Sequence, residues 1–559
     1  MSNLLNYFCK LFGYLMIVFI LNGCMYDSGE SQQILSKGKY GMVSTAHPLA
    51  TKTGLEVLKD GGNAFDAAVA VATTLNVVEP MMSGIGGYGT IMIYSAEEIR
   101  SRFLNPSGRM PANLDSDLFR TPTPNYKQNR RGAKAVSTPG NVNAWEAMWK
   151  EYGSREWQEL FSSAIYYAEH GFKLDRRLAA ALDQSFNEFS DYSKSIYGKK
   201  GDPLRKGDLL VQNDLAKSLK LIASDGAEVF HGGKLGKAVH KKMNETGGFL
   251  TLQDLMNNKA EWWKPVSITY RGYKILTASP PANSWPALVR LGMMQQYNAN
   301  SLGHNSIQYL HRYAEVTKHV FWTRLRWAGD PDIKPPPLDM LLSEAYWKEQ
   351  VMAISPDTAK PFIPPEEFEA SSGMHTTHFV VADRWGNVVS ATQTLGNLFG
   401  SKIMPEGTGI WLNNSLQYST FEPKGNPMDA FPGRHKLSGD VPLFVMENGK
   451  PWIAVGTPGG HTIAQNVPQI VMNIIDFDMN IQEAIAAPKI SFIEPDFLGV
   501  EKTIPNSVVE ELKFKGHNIR LLDRIGNAHG LTILYDESGN PISYFGGSDP
   551  RGSGSSQGY

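Results

Sequence analysis

Apolar residues recur along this chain in two rhythms. The first is short and β-rich. Residues 376–382 and 388–395 are dense in Val, Thr and Ala, and the five residues 383–387, with Gly386 and Asn387, separate them. That composition predicts a hairpin. With a five-residue loop, Ala382 faces Val388, and the register carries Thr376 opposite Thr394. Facing residues sit about 5 Å apart at Cβ, so two hydroxyls would meet. A four-residue loop would break that pairing. By themselves these residues also describe an ordinary threonine-rich hairpin. Further strands are predicted at 90–94, 270–277, 409–414, 443–446, 452–455, 531–535 and 542–545.

The second rhythm is helical. Residues 47–76 read as two helices broken at Gly61-Gly62-Asn63, and 64–75 are small and apolar nearly all round, which predicts burial. Helical patterns return at 157–171, 215–224, 304–327, 461–475 and 510–515. Between the early helices and the first strand lies a literal G-x-G-x-x-G at Gly84, Gly86 and Gly89. A dinucleotide fingerprint needs the strand before and the helix after. Here the order is reversed, so the glycines are read as sites of close backbone approach. The C-terminal Gly554-Ser555-Ser556-Gln557-Gly558 matches G-x-S-x-G. No helix or histidine follows it, so it is no hydrolase elbow. His375 and His378 would point to opposite faces of a strand, which argues against a shared metal. His435 and His461 stand alone and read as structural or surface residues.

Composition narrows the class. At 559 residues, with 42% hydrophobic and 19% charged residues, the chain is a globular protein. A net charge of −1, with Lys and Arg spread along the chain, points away from nucleic acid. Lys10 is the only charge before an apolar run at 11–21, and Asn22-Gly23-Cys24 follows. This run is a secretory signal, too short to span a bilayer. Its Leu21-Asn22-Gly23-Cys24 ending resembles a bacterial lipobox. That implies a signal peptide at 1–23, lipid on Cys24, a polar tether at 24–40, and an exported protein held to a membrane on the periplasmic or cell-surface side. A plain signal peptide or an uncleaved anchor are the alternatives. Cys9 and Cys24 are the only cysteines. A mature domain without thiols excludes cysteine catalysis, Cys-ligated zinc and a disulfide framework.

Several motifs occur in order: 50–70 with its G-L-x-V-L-K-D-G-G-N-A-F-D-A-A-V-A run, the glycines of 83–89, Arg271-Gly272-Tyr273, Pro280-Pro281, Gly329-Asp330-Pro331-Asp332, Thr376-Thr377-His378, Pro458-Gly459-Gly460 and Ser548-Asp549-Pro550-Arg551. Together they resemble the γ-glutamyltransferase (γ-glutamyl transpeptidase) family of N-terminal-nucleophile hydrolases. The resemblance implies an α+β fold, a four-layer αββα sandwich forming one domain from two autoprocessed chains, 41–375 and 376–559, that stay associated. It implies cleavage between His375 and Thr376, with Thr376 as nucleophile, Thr394 supporting its hydroxyl, Gly459 and Gly460 as oxyanion hole, and no metal or organic cofactor. The residue types suit that chemistry. A threonine hydroxyl needs a base, and the freed α-amine, with an ordinary pKa of about 7.7–8.0, can be one.

The substrate end departs from the family pattern. Tyr418 stands where the family's γ-glutamyl transferases carry an aspartate for the α-amino group, beyond Asn413-Asn414. Ser415 replaces a Gln or Glu, and of a Ser-Ser pair only Ser438 remains, beside Gly439. The position of the carboxylate-gripping arginine falls near Ser107, with Arg109 two residues on, and Asn105-Pro106-Ser107-Gly108-Arg109 looks like the cephalosporin-acylase-like branch. Asn414, Ser415, Tyr418, Ser438 and Arg109 are thus the expected substrate contacts. The expected reaction is cleavage of γ-glutamyl amides such as glutathione, with transfer to water or to an amino acid or peptide. The alternatives are an acylase for another acyl amide and a surface-binding lipoprotein without turnover.

Overall fold

The structure, a computed structural model, describes residues 34–364 and 375–559. The signal segment, Cys24 and most of the tether lie outside the described residues.

Two seven-stranded antiparallel sheets form the centre. The first runs Ser36–Gly38, Pro541–Ser548, His529–Tyr535, Lys450–Gly456, Leu443–Glu447, Tyr273–Thr277, Val266–Tyr270. The second runs Ser555–Gly558, Met42–Thr45, His375–Ala382, Val388–Gly396, Tyr88–Ser95, Arg100–Asn105, Glu261–Trp263.

Side-chain alternation sorts the strand residues into layers. Val380, Val388 and Met92 of the second sheet meet Phe444, Ala454 and Leu531 of the first between the sheets. The alternate residues Phe379, Val389 and Ile93 pack outward against the helix Ala64–Val78 and its neighbours. On the far side Ile275, Val445 and Ile453 pack against Trp285–Met294, Ile307–Trp327 and Ile463–Ile475. Strands covered on both faces read as continuous apolar runs. The result is the αββα sandwich the resemblance implies.

Local chemistry explains the boundaries. Asn63 caps Ala64–Val78 in a reciprocal box with Asp66, and all fifteen residues of that helix are buried. A Cβ on Gly86, Gly87 or Gly89 would run into the carbonyls of Trp411, Thr394 and Thr392, so these glycines do serve close approach. Two strand assignments need correction. Residues 270–277 are not one strand, because Arg271 and Gly272 take positive φ and turn the chain between Val266–Tyr270 and Tyr273–Thr277. Residues 409–414 form no strand. Their N–H groups go to scattered loop carbonyls, Leu412 to Ile403 and Asn413 to Gly86, with one isolated bridge at Leu412.

Candidate active site

The site begins at the start of a central strand. Ala382 pairs with Val388 and Thr376 with Thr394, the register that the five-residue loop requires. On its other edge Thr394 pairs with Tyr88. Thr376, Thr394 and Tyr88 thus form a row across three strands, on the face turned toward the other sheet. The ladder is broken once. His375 pairs with Gly396, so Leu395 is skipped at the His375–Thr376 bond. Such a bulge takes one residue out of the hydrogen-bond pattern and re-aims its neighbours.

The hydroxyls are closely bonded. Thr376 Oγ1 donates to Thr394 Oγ1 at 3.2 Å. Thr394 Oγ1 donates to the His375 carbonyl at 2.7 Å and accepts from the Gly396 N–H at 2.8 Å. On the opposite face Thr377 Oγ1 donates to Glu79 at 2.6 Å, and Arg177 pairs with the same carboxylate at 2.9 Å. Burial pushes the Glu79 carboxyl up against the pull of Arg177. Burial, aided by Arg177 and Arg524, pushes the His375 imidazole down to about 4, so it is neutral.

Gly459 and Gly460 lie between the strand Lys450–Gly456 and the helix Ile463–Ile475, with φ of +138° and +59°. The Gly459 carbonyl is held by the Thr462 amide and hydroxyl at 3.1 and 2.8 Å. Among the described residues no group accepts from the Gly459 or Gly460 N–H. Amides in such a turn before a helix favour negative charge. His461, the next residue, lines the same cleft as Thr394.

That cleft is also lined by Tyr88, Arg324, Tyr418, Lys436, Ser438, Gly439 and Asp440. Ser438 Oγ lies 2.8 Å from Thr90 Oγ1. The Tyr418 hydroxyl donates to Asn397 Oδ1, and burial raises its pKa. Asn414 braces the same corner, accepting from the Asn397 N–H at 2.9 Å and donating to Gln417 at 2.8 Å. Tyr418 and Ser438 therefore meet at the cleft and Asn414 supports it. Ser415, buried in a short helical turn, and Arg109 are not among its lining residues.

Arg109 is half-exposed and engaged elsewhere, 3.4 Å from Glu261, 3.5 Å from Asp332 and 3.3 Å from the Gly433 carbonyl. His435 sits inside that network, with Nδ1 3.0 Å from Asp330 and Nε2 3.0 Å from Glu261. Burial alone would push its imidazolium down, but the bonds and charges of Asp330 and Glu261 outweigh it and raise His435 to about 9. Asp330, Asp332 and His435 come close enough to be considered as cation ligands. With both ring nitrogens protonated and donating, His435 has no lone pair to offer a metal. The group is an ion-pair network.

Sequence reading missed Arg324, Lys436, Asp440, Tyr88 and Glu79. Lys436 and Asp440 flank Ser438, and Tyr88 lies inside the glycine run, so proximity to noted motifs was the available signal. Arg324 and Glu79 are brought in only by tertiary packing.

A four-layer sandwich with a buried threonine heading a central strand, its hydroxyl turned between the sheets, defines the class of N-terminal-nucleophile hydrolases. The structure of cephalosporin acylase from Bacillus halodurans matches at a TM-score of 0.87 and 30% identity, over 95% of this chain and 97% of that one. The gamma-glutamyltranspeptidase family model matches residues 50–559, and the chain belongs to that family. The glutathione hydrolase proenzyme of Bacillus subtilis (strain 168) is 34% identical over 521 residues, 89% of each chain. The acylase ACY 1 proenzyme of Pseudomonas sp. (strain V22) is 34% identical over 509 residues, 89% of this chain and 90% of the relative.

Proposed function

We propose that this chain is a self-processing threonine amidohydrolase that cleaves γ-glutamyl amides such as glutathione, passing the acyl group to water or to an amino acid or peptide. The observation that carries the reading is the junction itself. Thr376 faces Thr394, and Thr394 donates to the carbonyl of the bond to be cut. In self-cleavage the Thr376 oxygen attacks the His375 carbonyl carbon, the hydroxyl proton passes to the Thr376 nitrogen as the C–N bond breaks, and an ester remains that water opens. Thr394 stabilises the charge that develops on the carbonyl oxygen. The freed α-amine then takes the hydroxyl proton when Thr376 attacks a substrate amide. The Gly459 and Gly460 amides receive that substrate's oxyanion, and the amine returns its proton to the leaving amine.

On a denaturing gel and by intact mass, purified protein should give two fragments, the smaller starting at Thr376, with release of p-nitroaniline from γ-glutamyl-p-nitroanilide. A chain that stays whole and cleaves no amide would leave a binding lipoprotein as the better reading. A second enzymatic reading, an acylase for a non-glutamyl acyl amide, is favoured by Tyr418 at the aspartate position and by Arg109 being tied up outside the cleft. Equal rates on γ-glutamyl- and glutaryl-p-nitroanilide would select it. Export and lipidation at Cys24 stay part of the proposal, supported by the apolar run and the Leu21-Asn22-Gly23-Cys24 ending. Metabolic labelling with palmitate, lost in Cys24→Ala, tests them.

A further inference from the structure

The first residues of the reacting strand are held on one edge only. His375–Ala382 pairs with Val388–Gly396 along its length, but its other edge meets Met42–Thr45 only from Phe379 onward. Thr376, Thr377 and His378 therefore project past the ladder on that side. Once the His375–Thr376 bond is cut they become a free chain end, and such ends fray unless something ties them down. Two of the three side chains bond within their own hairpin, Thr376 to Thr394 at 3.2 Å and His378 to Thr392 at 2.8 Å. Among the described residues only the Thr377 side chain reaches out of it, to Glu79.

Thr377 is fully buried on the face opposite the nucleophile, and its hydroxyl donates to Glu79 Oε2 at 2.6 Å. Gln393, which faces Thr377 across the ladder, leaves its own amide without a partner, so it does not share this task. Glu79 is a firm post. It ends the wholly buried helix Ala64–Val78, and its N–H closes on the Leu75 carbonyl at 2.8 Å. Arg177, from the first turn of the helix Arg176–Ser185, donates to Oε1 at 2.9 Å, so each carboxylate oxygen has a partner. Burial, with Asp175 adding to it, raises the Glu79 carboxyl, and the charge of Arg177 and the bond from Thr377 oppose that rise. Apolar side chains can replace a buried ion pair at no loss of stability. The sheet itself thus has no need of this carboxylate, and its place is explained by what it holds.

We propose that Glu79, braced by Arg177, is a positioning residue that pins Thr377 and so fixes the freed N-terminal Thr376 for attack. This rests on the self-processing reading above. Glu79 and Arg177 belong to the piece before the cut and Thr377 to the piece after it, so the bond crosses between the two. Before the cut the chain through His375 also restrains Thr376. After it that restraint is gone, and the tie through Thr377 takes over. A nucleophile must be held in line with its target, and a small misplacement costs rate rather than affinity.

The test compares the purified full-length parent and its variants after self-cleavage, assayed on γ-glutamyl- and glutaryl-p-nitroanilide. In Thr377→Val, kcat should fall by about ten- to a hundredfold, the range for a lost hydrogen bond to a charged group, while KM stays as it is. Thr377→Ser should restore most of kcat. Glu79→Met breaks the same bond from its other end, so a folding failure in one variant leaves the other to decide. The double variant should be no slower than the slower single one, because both remove one interaction. General loosening of the core would not give a loss confined to kcat and shared in this way. Self-cleavage of the intact precursor, followed by intact mass, should slow far less than kcat. Unchanged kcat in both single variants, additive losses in the double variant, or self-cleavage slowed as much as kcat overturns the proposal. A parent that stays whole and cleaves neither anilide would instead overturn the self-processing reading, and the tie would have no free end to hold.

Discussion

Removing one oxygen, in Thr394→Val, tests the junction most sharply. A threonine hydroxyl has one proton and two lone pairs. In Thr394 all three are in use, donating to the His375 carbonyl and accepting from Thr376 and from the Gly396 amide. Valine keeps the shape and removes all three bonds. Two effects follow. The Gly396 N–H is left buried without a partner, at about 1–3 kcal/mol of folding stability. The scissile carbonyl also loses the donor that would stabilise its oxyanion, and loss of one such donor slows acyl transfer by about a hundred- to a thousandfold. Self-cleavage followed by denaturing gel and intact mass from the uncut precursor should slow by that factor, and Thr394→Ser should restore most of it. Urea unfolding of Thr394→Val against uncut Thr376→Ala isolates the stability part. Self-cleavage of Thr394→Val within tenfold of the parent would refute the reasoning, since the bond to His375 would then contribute nothing to the reaction.

Other outcomes are expected. Thr376→Ala should end both self-cleavage and p-nitroaniline release; survival of either removes Thr376 from the nucleophile's role. Gly459→Ala forces an L-residue to φ near +138° and sets a methyl 2.6 Å from Thr462 Oγ1. With about 1–3 kcal/mol of strain, the amide should swing away and kcat should fall more than KM changes, whereas an unchanged kcat would take the loop out of catalysis. His435 is raised to about 9 from an ordinary value near 6.5. A raised base stabilises the fold fully below the unfolded value and loses that contribution as pH climbs through the folded one. The contribution is on the order of 2–3 kcal/mol after screening at the partly exposed Glu261 and Asp332. Denaturant melts of His435→Gln should therefore show the deficit at pH 6 and little of it at pH 10; an equal deficit at both values would show that the imidazolium charge is not what holds the network.

The hairpin was legible because its information is local. A five-residue loop between β-rich runs sets the register, and the register alone brings Thr376 to Thr394. The buried helix 64–78 was legible for the same reason, with its cap and its all-round small residues adjacent in sequence. The substrate end was not. Arg109 lies two residues from the expected arginine position, yet the fold turns it onto Glu261 and Asp332. Arg324 and Lys436, more than a hundred residues apart, enter one cleft only because the fold brings a long helix and a loop together there. The false strand at 409–414 shows the opposite error. Its β-like residues are used to thread a loop past Gly86, where backbone contacts override local preference.

The order of strands in the two sheets has a consequence for the lifetime of the molecule. In the first sheet Ser36–Gly38, Val266–Tyr270 and Tyr273–Thr277 precede the His375–Thr376 bond and the other four strands follow it. In the second, Met42–Thr45 separates Ser555–Gly558 from His375–Ala382, so pieces from before and after the bond interleave. A cut there leaves the fragments woven through one another, and they cannot part without dismantling both sheets. Before the cut, folding is a search by one chain whose ends are tied. After it, any molecule that unravels must find a second fragment in solution. Maturation would thus turn a reversible folder into one whose persistence is set by its unfolding rate. Its thermal loss should be irreversible, and recovery should depend on protein concentration in a way the uncut Thr376→Ala chain does not share.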